Sequence, residues 1–342
     1  MIRPEPSELH IRLGSNLLCL HNKNKKKEHI FNTGSVLAVT GQTDKIEALQ
    51  ILCDGILRTR FAPSPTGYLH LGHAYSALCA WQAVGERAEY FHLRIDDLDE
   101  TRCKDSFTRQ IFSDLRWLGI AWQEPVIYQS KRHALYAKKL AILEKQGLVY
   151  PCYLSRKEAG ILLSAPHLSA DGLVPAPSTR HLLDSDESRQ RAASGMPPVW
   201  RLDSQRALAS LSGDTPLFWR DHTGTKHSVN PAEFGDVVLG RRDSPASYHL
   251  STVIDDADSA ITLVVRGADL APVTQIHRLL QAVLGLPSPV YWHHPVVTDE
   301  AGQRLAKRHD ALAIAQYRAN GYTPSDLLAR CGNLPSQNHT LL

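Results

Sequence analysis

From Leu57 onward, short apolar runs alternate with longer stretches whose apolar positions recur every three to four residues; residues 1–56 show no such period. Ile56–Phe61 reads as a short strand, followed by the turn Pro63-Ser-Pro-Thr-Gly67 and a helix that opens near Leu71 and runs toward Ala83. Tyr90–Ile95 reads as a second strand. Asp105 is placed to cap a helix on which Ile111, Leu115 and Leu118 recur, with Gly119 as its stop. Arg132–Gln146 is a further predicted helix, ended by Gly147. Later, Tyr248–Ile254 and Ile261–Val265 are predicted strands, and Pro272–Leu284 a helix with proline in its first turn. Helices alternating with short strands predict an α/β fold on a parallel, doubly wound sheet. Residues 155–200 break the rhythm. They are rich in Ser, Ala and Pro, as an insertion between two halves of a nucleotide-binding fold would be.

Composition narrows the class without choosing within it. The 342 residues can bury a real core, and 43% hydrophobic with 21% charged residues is ordinary for a globular protein. No window approaches the roughly 18 consecutive apolar residues of a membrane span. A net charge of +3 does not by itself imply a nucleic-acid partner. The six cysteines, Cys19, Cys53, Cys79, Cys103, Cys152 and Cys331, are scattered without a CxxC pair, which favours a reducing cytoplasm over a disulfide framework. Lys23, Lys25, Lys26 and Lys27 form a basic run in a stretch with no signal-peptide pattern; it reads as a poorly ordered extension, or as a basic arm or targeting leader.

The chemistry concentrates in Arg60-Phe-Ala-Pro-Ser-Pro-Thr-Gly-Tyr-Leu-His-Leu-Gly-His73. His70-Leu-Gly-His73 sits where strand gives way to helix, and a helix N-terminus offers N–H donors and positive potential to a triphosphate. Two imidazoles three residues apart share one face of the first turn. Gly72 lets a nucleotide approach closely. Alone, HxGH is a weak signal, because unrelated chains carry it by chance.

The whole string resembles the signature of glutamyl-type class I aminoacyl-tRNA synthetases. Leu93-Arg-Ile-Asp-Asp-Leu-Asp-Glu-Thr-Arg102 is similar to a second segment of that family, whose acidic residue contacts the amino group of bound glutamate; here it is Asp96, one methylene shorter than the usual Glu. Tyr248–Asp256 and Val265-Arg-Gly-Ala-Asp269 resemble its amino-acid-pocket segments, and Arg304-Leu-Ala-Lys-Arg308, after the turn Thr298–Gly302, its mobile lysine loop. The resemblance implies glutamate held by Arg60, Phe61, Ala62, Pro63, Ser64, Asp96, Tyr248 and Arg266. It implies ATP on His70, Gly72, His73 and Lys307, with His70, His73 and Lys307 catalytic. Arg266 would pair the side-chain carboxylate; the alternative is a structural salt bridge to Asp269 or Asp256. Mg²⁺ would arrive with ATP.

The resemblance covers roughly residues 57–320. The chain reaches Leu342 soon after Arg308, too short a stretch for a helical anticodon-binding domain, which points to the short glutamyl-queuosine tRNA(Asp) synthetases of this group. That family places activated glutamate on queuosine in the anticodon stem-loop of tRNA(Asp). It implies a class I Rossmann-type sheet carrying an inserted α/β subdomain. The expected divisions are an extension at 1–56, half-cores at 57–154 and 236–325, an insertion at 155–235 and a tail at 326–342. A cytoplasmic monomer without membrane contact is expected. The alternatives are a truncated glutamyl-tRNA synthetase charging a tRNA 3′ end, a catalytically silent paralogue and a generic nucleotidyltransferase. The family commonly binds zinc through Cys-x-Cys and Tyr-x3-Cys; here Cys152 is kept, Leu154 replaces the second cysteine, and Ala176-Pro-Ser-Thr-Arg180 has none. With only His167 or His181 nearby, no metal site is expected. His293-His294 reads as a loop near the ATP site rather than a metal pair.

Overall fold

The computed structural model describes residues 42–154, 178–180, 185–211, 216–297 and 312–331 (side chains of 42–45, 328 and 331 excepted), plus the backbone of short strands at His10–Leu13, Asn16–Cys19, Leu168–Ser169 and Gly172–Leu173. Lys307 with its loop, the Thr298–Gly302 turn, the Lys23–Lys27 run, His167 and His181 lie outside the described residues.

Helix α1 (Gln42–Leu52) is the first helix among the described residues. Leu49 and Cys53 are buried, and the Cys53 thiol donates to the Thr262 carbonyl at 3.4 Å. The near end of the stretch read as a poorly ordered extension is therefore packed on the fold, with Ile46 and Leu52 partly buried against the same core. Strand β1 (Thr59–Phe61), α2 (Leu71–Ala83), β2 (Phe91–Ile95), α3 (Asp105–Trp117), β3 (Gln123–Tyr128) and α4 (His133–Lys145) then alternate, β3 being a strand that the pattern does not predict. Lys104, not Asp105, occupies the α3 cap position, and Asp105 sits in the first turn, where the dipole favours a carboxylate. Gly119 and Gly147 follow α3 and α4 with φ of 78° and 68°, backbone that glycine adopts without a Cβ penalty.

Next come β4 (Val149–Cys152), α5 (Asp186–Ala193), β5 (Val199–Leu202), α6 (Ser204–Ala209), β6 (Phe218–Asp221), β7 (Lys226–Ser228) and β8 (Val238–Gly240). Strands β4, β5 and β8 form an antiparallel sheet with β5 in the middle. The chain continues through α7 (Tyr248–Asp258), β9 (Leu263–Gly267), a 3-10 turn at Ala268–Val273, α8 (Thr274–Val283), β10 (Val290–His294), α9 (Ile314–Ala319) and α10 (Pro324–Cys331). Leu327 of α10 is fully buried.

Three further expectations are corrected. Tyr248–Ile254 belongs to a helix, not a strand. Every residue from His249 to Asp256 is buried, so no polar face imposes a helical period, and Thr252, Val253 and Ile254 mimic a strand. Pro272 lies in the 3-10 turn ahead of α8, which opens at Thr274. His293 and His294 end strand β10 rather than sitting in a loop.

Strands β1, β2 and β3 pair in parallel, and β9, β10 and β6 do the same, with β7 antiparallel at the edge. The Arg58 carbonyl accepts from the backbone N–H of Thr262 (2.9 Å) and Leu263 (3.1 Å), which sets β9 beside β1. Strand order is therefore β3-β2-β1-β9-β10-β6, reversing between β1 and β9. Doubly wound folds bind ligands at the carboxyl ends of strands at such a reversal. Small buried residues, Ala74, Ala77, Cys79 and Ala80, let α2 pack closely on this seam. Among the described residues no helix is long and apolar enough to cross a membrane.

Candidate active site

A cavity of about 340 Å³ opens at the β1/β9 reversal, within the roughly 300–1,000 Å³ usual for small-molecule sites. Strand β1 and its exit contribute Arg60, Phe61, Ala62, Pro63 and Ser64. Helix α2 contributes Gly72 and His73, with His70 at its cap. Asp96 enters after β2, Tyr248 from the start of α7, and Arg266 from the end of β9. The structure thus brings every sequence-predicted site residue to one cavity, except Lys307, which lies outside the described residues.

The α2 N-terminus is built by its histidines. His70 Nδ1 accepts from the Gly72 N–H at 3.2 Å, and His73 Nδ1 accepts from the His70 N–H at 3.2 Å. Each neutral ring then carries its proton on Nε2, the donor that a phosphate oxygen requires. The ring centroids lie 3.8 Å apart. A Cβ at Gly72 would stand 3.2 Å from the His70 ring, so this glycine keeps the capping imidazole in place as well as leaving room for a ligand.

Arginines and carboxylates interlock behind the cavity. Arg60 Nε donates to Asp256 at 3.1 Å, and its Nη1 donates to the Val265 carbonyl at 3.3 Å. Arg94 Nη1 donates to the same Asp256 oxygen at 2.6 Å, while its Nε and Nη2 hold Asp96 at 2.6 and 3.3 Å. Burial would raise the Asp256 carboxyl, but Arg60 and Arg94 hold it below the usual carboxylate range. Burial wins at Asp96 and pushes it up to about 6 despite Arg94. Asp255, at the other side of Arg94, accepts from Gln129, Arg132 and Tyr136.

Arg266 is held differently. It donates from Nε to His293 Nε2 at 3.3 Å, from Nη2 to Thr274 Oγ1 at 2.7 Å, and from Nη1 to His277 Nδ1 at 3.3 Å and Tyr248 Oη at 3.5 Å. It pairs with neither Asp256 nor Asp269: Asp256 is engaged by Arg60 and Arg94, and the Asp269 carboxylate lies against Gly267, where a Cβ would meet it at 2.3 Å.

The acidic run lies beyond β2, which ends at Ile95. Asp97 accepts from the Ser130 N–H and hydroxyl, and Asp99 pairs with Arg102. Cys152 does not fit a zinc site. Its buried sulfur accepts from Thr179 Oγ1 at 3.4 Å, the fully buried Arg201 also donates to that hydroxyl, and a fixed cation there opposes metal binding. Among the described residues no three His, Cys, Asp or Glu side chains cluster as a metal site.

Sequence reading missed Arg94, Asp256, Thr274, His277 and the contact of His293 with Arg266. A charged residue inside the apolar strand Phe91–Ile95 was a usable signal for Arg94. His294 also reaches the cavity, accepting from Ser76 Oγ at 2.9 Å through Nε2.

Residues 56–340 match the model of the catalytic domain of class I tRNA synthetases (E and Q). The chain is 44% identical over 280 residues to a glutamyl-Q tRNA(Asp) synthetase of Rhodobacter capsulatus, covering 79% of this chain and 97% of that protein. It is 39% identical to one of Symbiobacterium thermophilum, covering 80% and 85%. A crystal structure of a glutamate tRNA ligase from Elizabethkingia meningosepticum, in complex with its amino acid, superposes with a TM-score of 0.61 at 26% identity; the match covers 78% of this chain and 58% of the ligase. The chain belongs to the class I tRNA synthetases (E and Q), sharing their catalytic domain.

Proposed function

We propose that this chain activates glutamate with ATP as glutamyl-adenylate, without tRNA, and transfers the glutamate to queuosine at the wobble position of tRNA(Asp). The carrying observation is a cavity that joins a buried arginine with no acidic partner among the described residues, Arg266, to the paired imidazoles at the α2 N-terminus. A cation that lacks a counter-ion suits the glutamate side-chain carboxylate, and its planar fork can hold both oxygens. Arg60 would assist, and Asp96 would receive the amino group. Phe61, Ala62, Pro63 and Ser64 would line the substrate.

In this reading the glutamate α-carboxylate attacks the α-phosphate of ATP, and pyrophosphate leaves. The carboxylate is already a nucleophile, so no general base is required. The protein's task is positioning and charge neutralisation. His70 and His73 donate to the triphosphate, Gly72 lets it approach, and Lys307 neutralises the departing pyrophosphate. Mg²⁺ enters with ATP as part of the substrate. The transfer step is supported by similarity to proteins named glutamyl-Q tRNA(Asp) synthetase, one matched over 97% of its length. We read the working unit as a cytoplasmic monomer that docks the anticodon stem-loop.

The test is glutamate-dependent ATP–pyrophosphate exchange without tRNA, then charging of tRNA(Asp) with and without queuosine. Exchange, followed by charging of the queuosine form alone, is expected. Absent exchange sinks the activation half, and charging of a tRNA 3′ end replaces the transfer half with a glutamyl-tRNA synthetase reaction. Lys307→Ala should suppress exchange while leaving glutamate binding largely intact.

A further inference from the structure

Three buried arginines face the cavity, and they differ in what surrounds them. Arg60 and Arg94 are neutralised by Asp256 and Asp96. Among the described residues no ion pair includes Arg266, although it is only 4% exposed. Its hydrogen-bond partners, His293 Nε2, His277 Nδ1, Thr274 Oγ1 and Tyr248 Oη, are all uncharged acceptors, and its guanidinium lies 5.3 Å from the centre of the Tyr291 ring.

We propose that Thr274, His277 and His293 are positioning residues that hold Arg266 through lone pairs alone, so that its charge lacks a counter-anion and the pocket selects a side-chain carboxylate over the matching carboxamide. This rests on the reading of Arg266 as the partner of the glutamate side chain. Arg266 Nη2 donates to Thr274 Oγ1, and that hydroxyl lies 3.1 Å from His293 Nε2, the nitrogen whose single lone pair faces Arg266 Nε. His277, accepting at Nδ1, carries its proton on Nε2 and faces His249 Nδ1 at 3.4 Å. A protonated imidazole would have no lone pair to offer and would repel the guanidinium. Burial and the nearby Arg266 charge keep these rings neutral: His293 is lowered to about 3, and His277 well below its ordinary value.

A carboxylate in this shell would have satisfied Arg266 internally and let the pocket accept neutral ligands. The second N–H on Nη2 has no acceptor among the described residues, and the guanidinium borders the cavity. Glutamate supplies both an acceptor and the missing negative charge. Glutamine supplies an acceptor but no charge, and its amide N–H groups oppose the arginine donors.

The test compares ATP–pyrophosphate exchange with glutamate and with glutamine in the parental protein, in His293→Glu and in His293→Gln. His293→Glu builds in the counter-anion. Its KM for glutamate should rise at least about tenfold, and its glutamate-over-glutamine ratio should fall at least about tenfold, the scale expected when a site's charge match is removed. His293→Gln retains a neutral acceptor and should keep the preference. A folded His293→Glu whose ratio stays within about threefold of the parental value overturns the proposal. If that variant fails to unfold cooperatively, Thr274→Val decides. A several-fold rise in KM for glutamate with a fallen ratio supports the shell; an unchanged ratio overturns it. A parental protein with no glutamate-dependent exchange refutes the activation reading itself, and this proposal with it.

Discussion

Arg94 donates to Asp256 at 2.6 Å across 162 positions of chain, tying the exit of β2 to the last turn of α7. One partner comes from a sheet strand and the other from a helix, and side-chain exposures of 3% and 6% remove the pair from water. Such a pair contributes little over a well-packed apolar substitute, but losing one partner leaves a buried charge alone. Arg94→Met, which strands Asp96 and leaves Asp256 with Arg60 alone, should cost about 3–5 kcal/mol in urea unfolding. A loss below about 1 kcal/mol, the scale of an exposed pair, would contradict this account.

Asp96 gives the site an acidic limb. Burial holds its carboxyl at about 6, so it is charged above that pH and protonated below it. In the proposed role only the charged form receives the glutamate ammonium, so kcat/KM for glutamate should fall as pH drops through about 6. For stability the sign runs the other way. The folded-state value exceeds the ordinary 3.8, so the folded chain binds the extra proton between those values. Its contribution to stability is greatest at low pH and fades as pH rises through about 6. Asp96→Asn should remove the limb from a glutamate pH profile; a persisting limb would assign it elsewhere.

His70→Ala and His73→Ala should each lower the exchange rate by about 10²–10³, the effect of deleting one donor to developing charge. Gly72→Ala is the subtler case. Its Cβ would press on the His70 ring from 3.2 Å, so KM for ATP should rise several-fold while thermal unfolding barely moves. Wild-type ATP kinetics in Gly72→Ala would detach the imidazole position from catalysis.

Metal removal should be silent at Cys152. The purified chain should carry well under one zinc per molecule, and exchange should survive chelation once Mg²⁺ is restored. Stoichiometric zinc by elemental analysis would show that the Thr179 contact is not the resting partner of this thiol.

How much of this was legible beforehand follows from chain distance. Arg60 through His73 are contiguous, so one string carried eight of the twenty residues of the cavity wall. Tyr248 and Arg266 were recognisable in their local segments. Arg94–Asp256 was not, because neither residue announces a partner so far away, and the helix that delivers Asp256 resembles a strand when every side is buried. The shell behind Arg266 escaped for another reason. His277 and His293 act as neutral acceptors, and nothing in a linear sequence distinguishes such a histidine from one buried for packing.

Helix α7 carries Tyr248 to the cavity at one end and Asp256 to the arginine clasp at the other, over a rod of about 16 Å. Ligand preference and fold integrity are therefore read by a single rigid body. A graft that transplants the pocket between related chains has to move residues 248–258 together with Arg60 and Arg94 as one block. Exchanging Tyr248 alone shifts the lever at one end while its other end stays bolted, and libraries varied there will lose misfolded members before any change in substrate is seen.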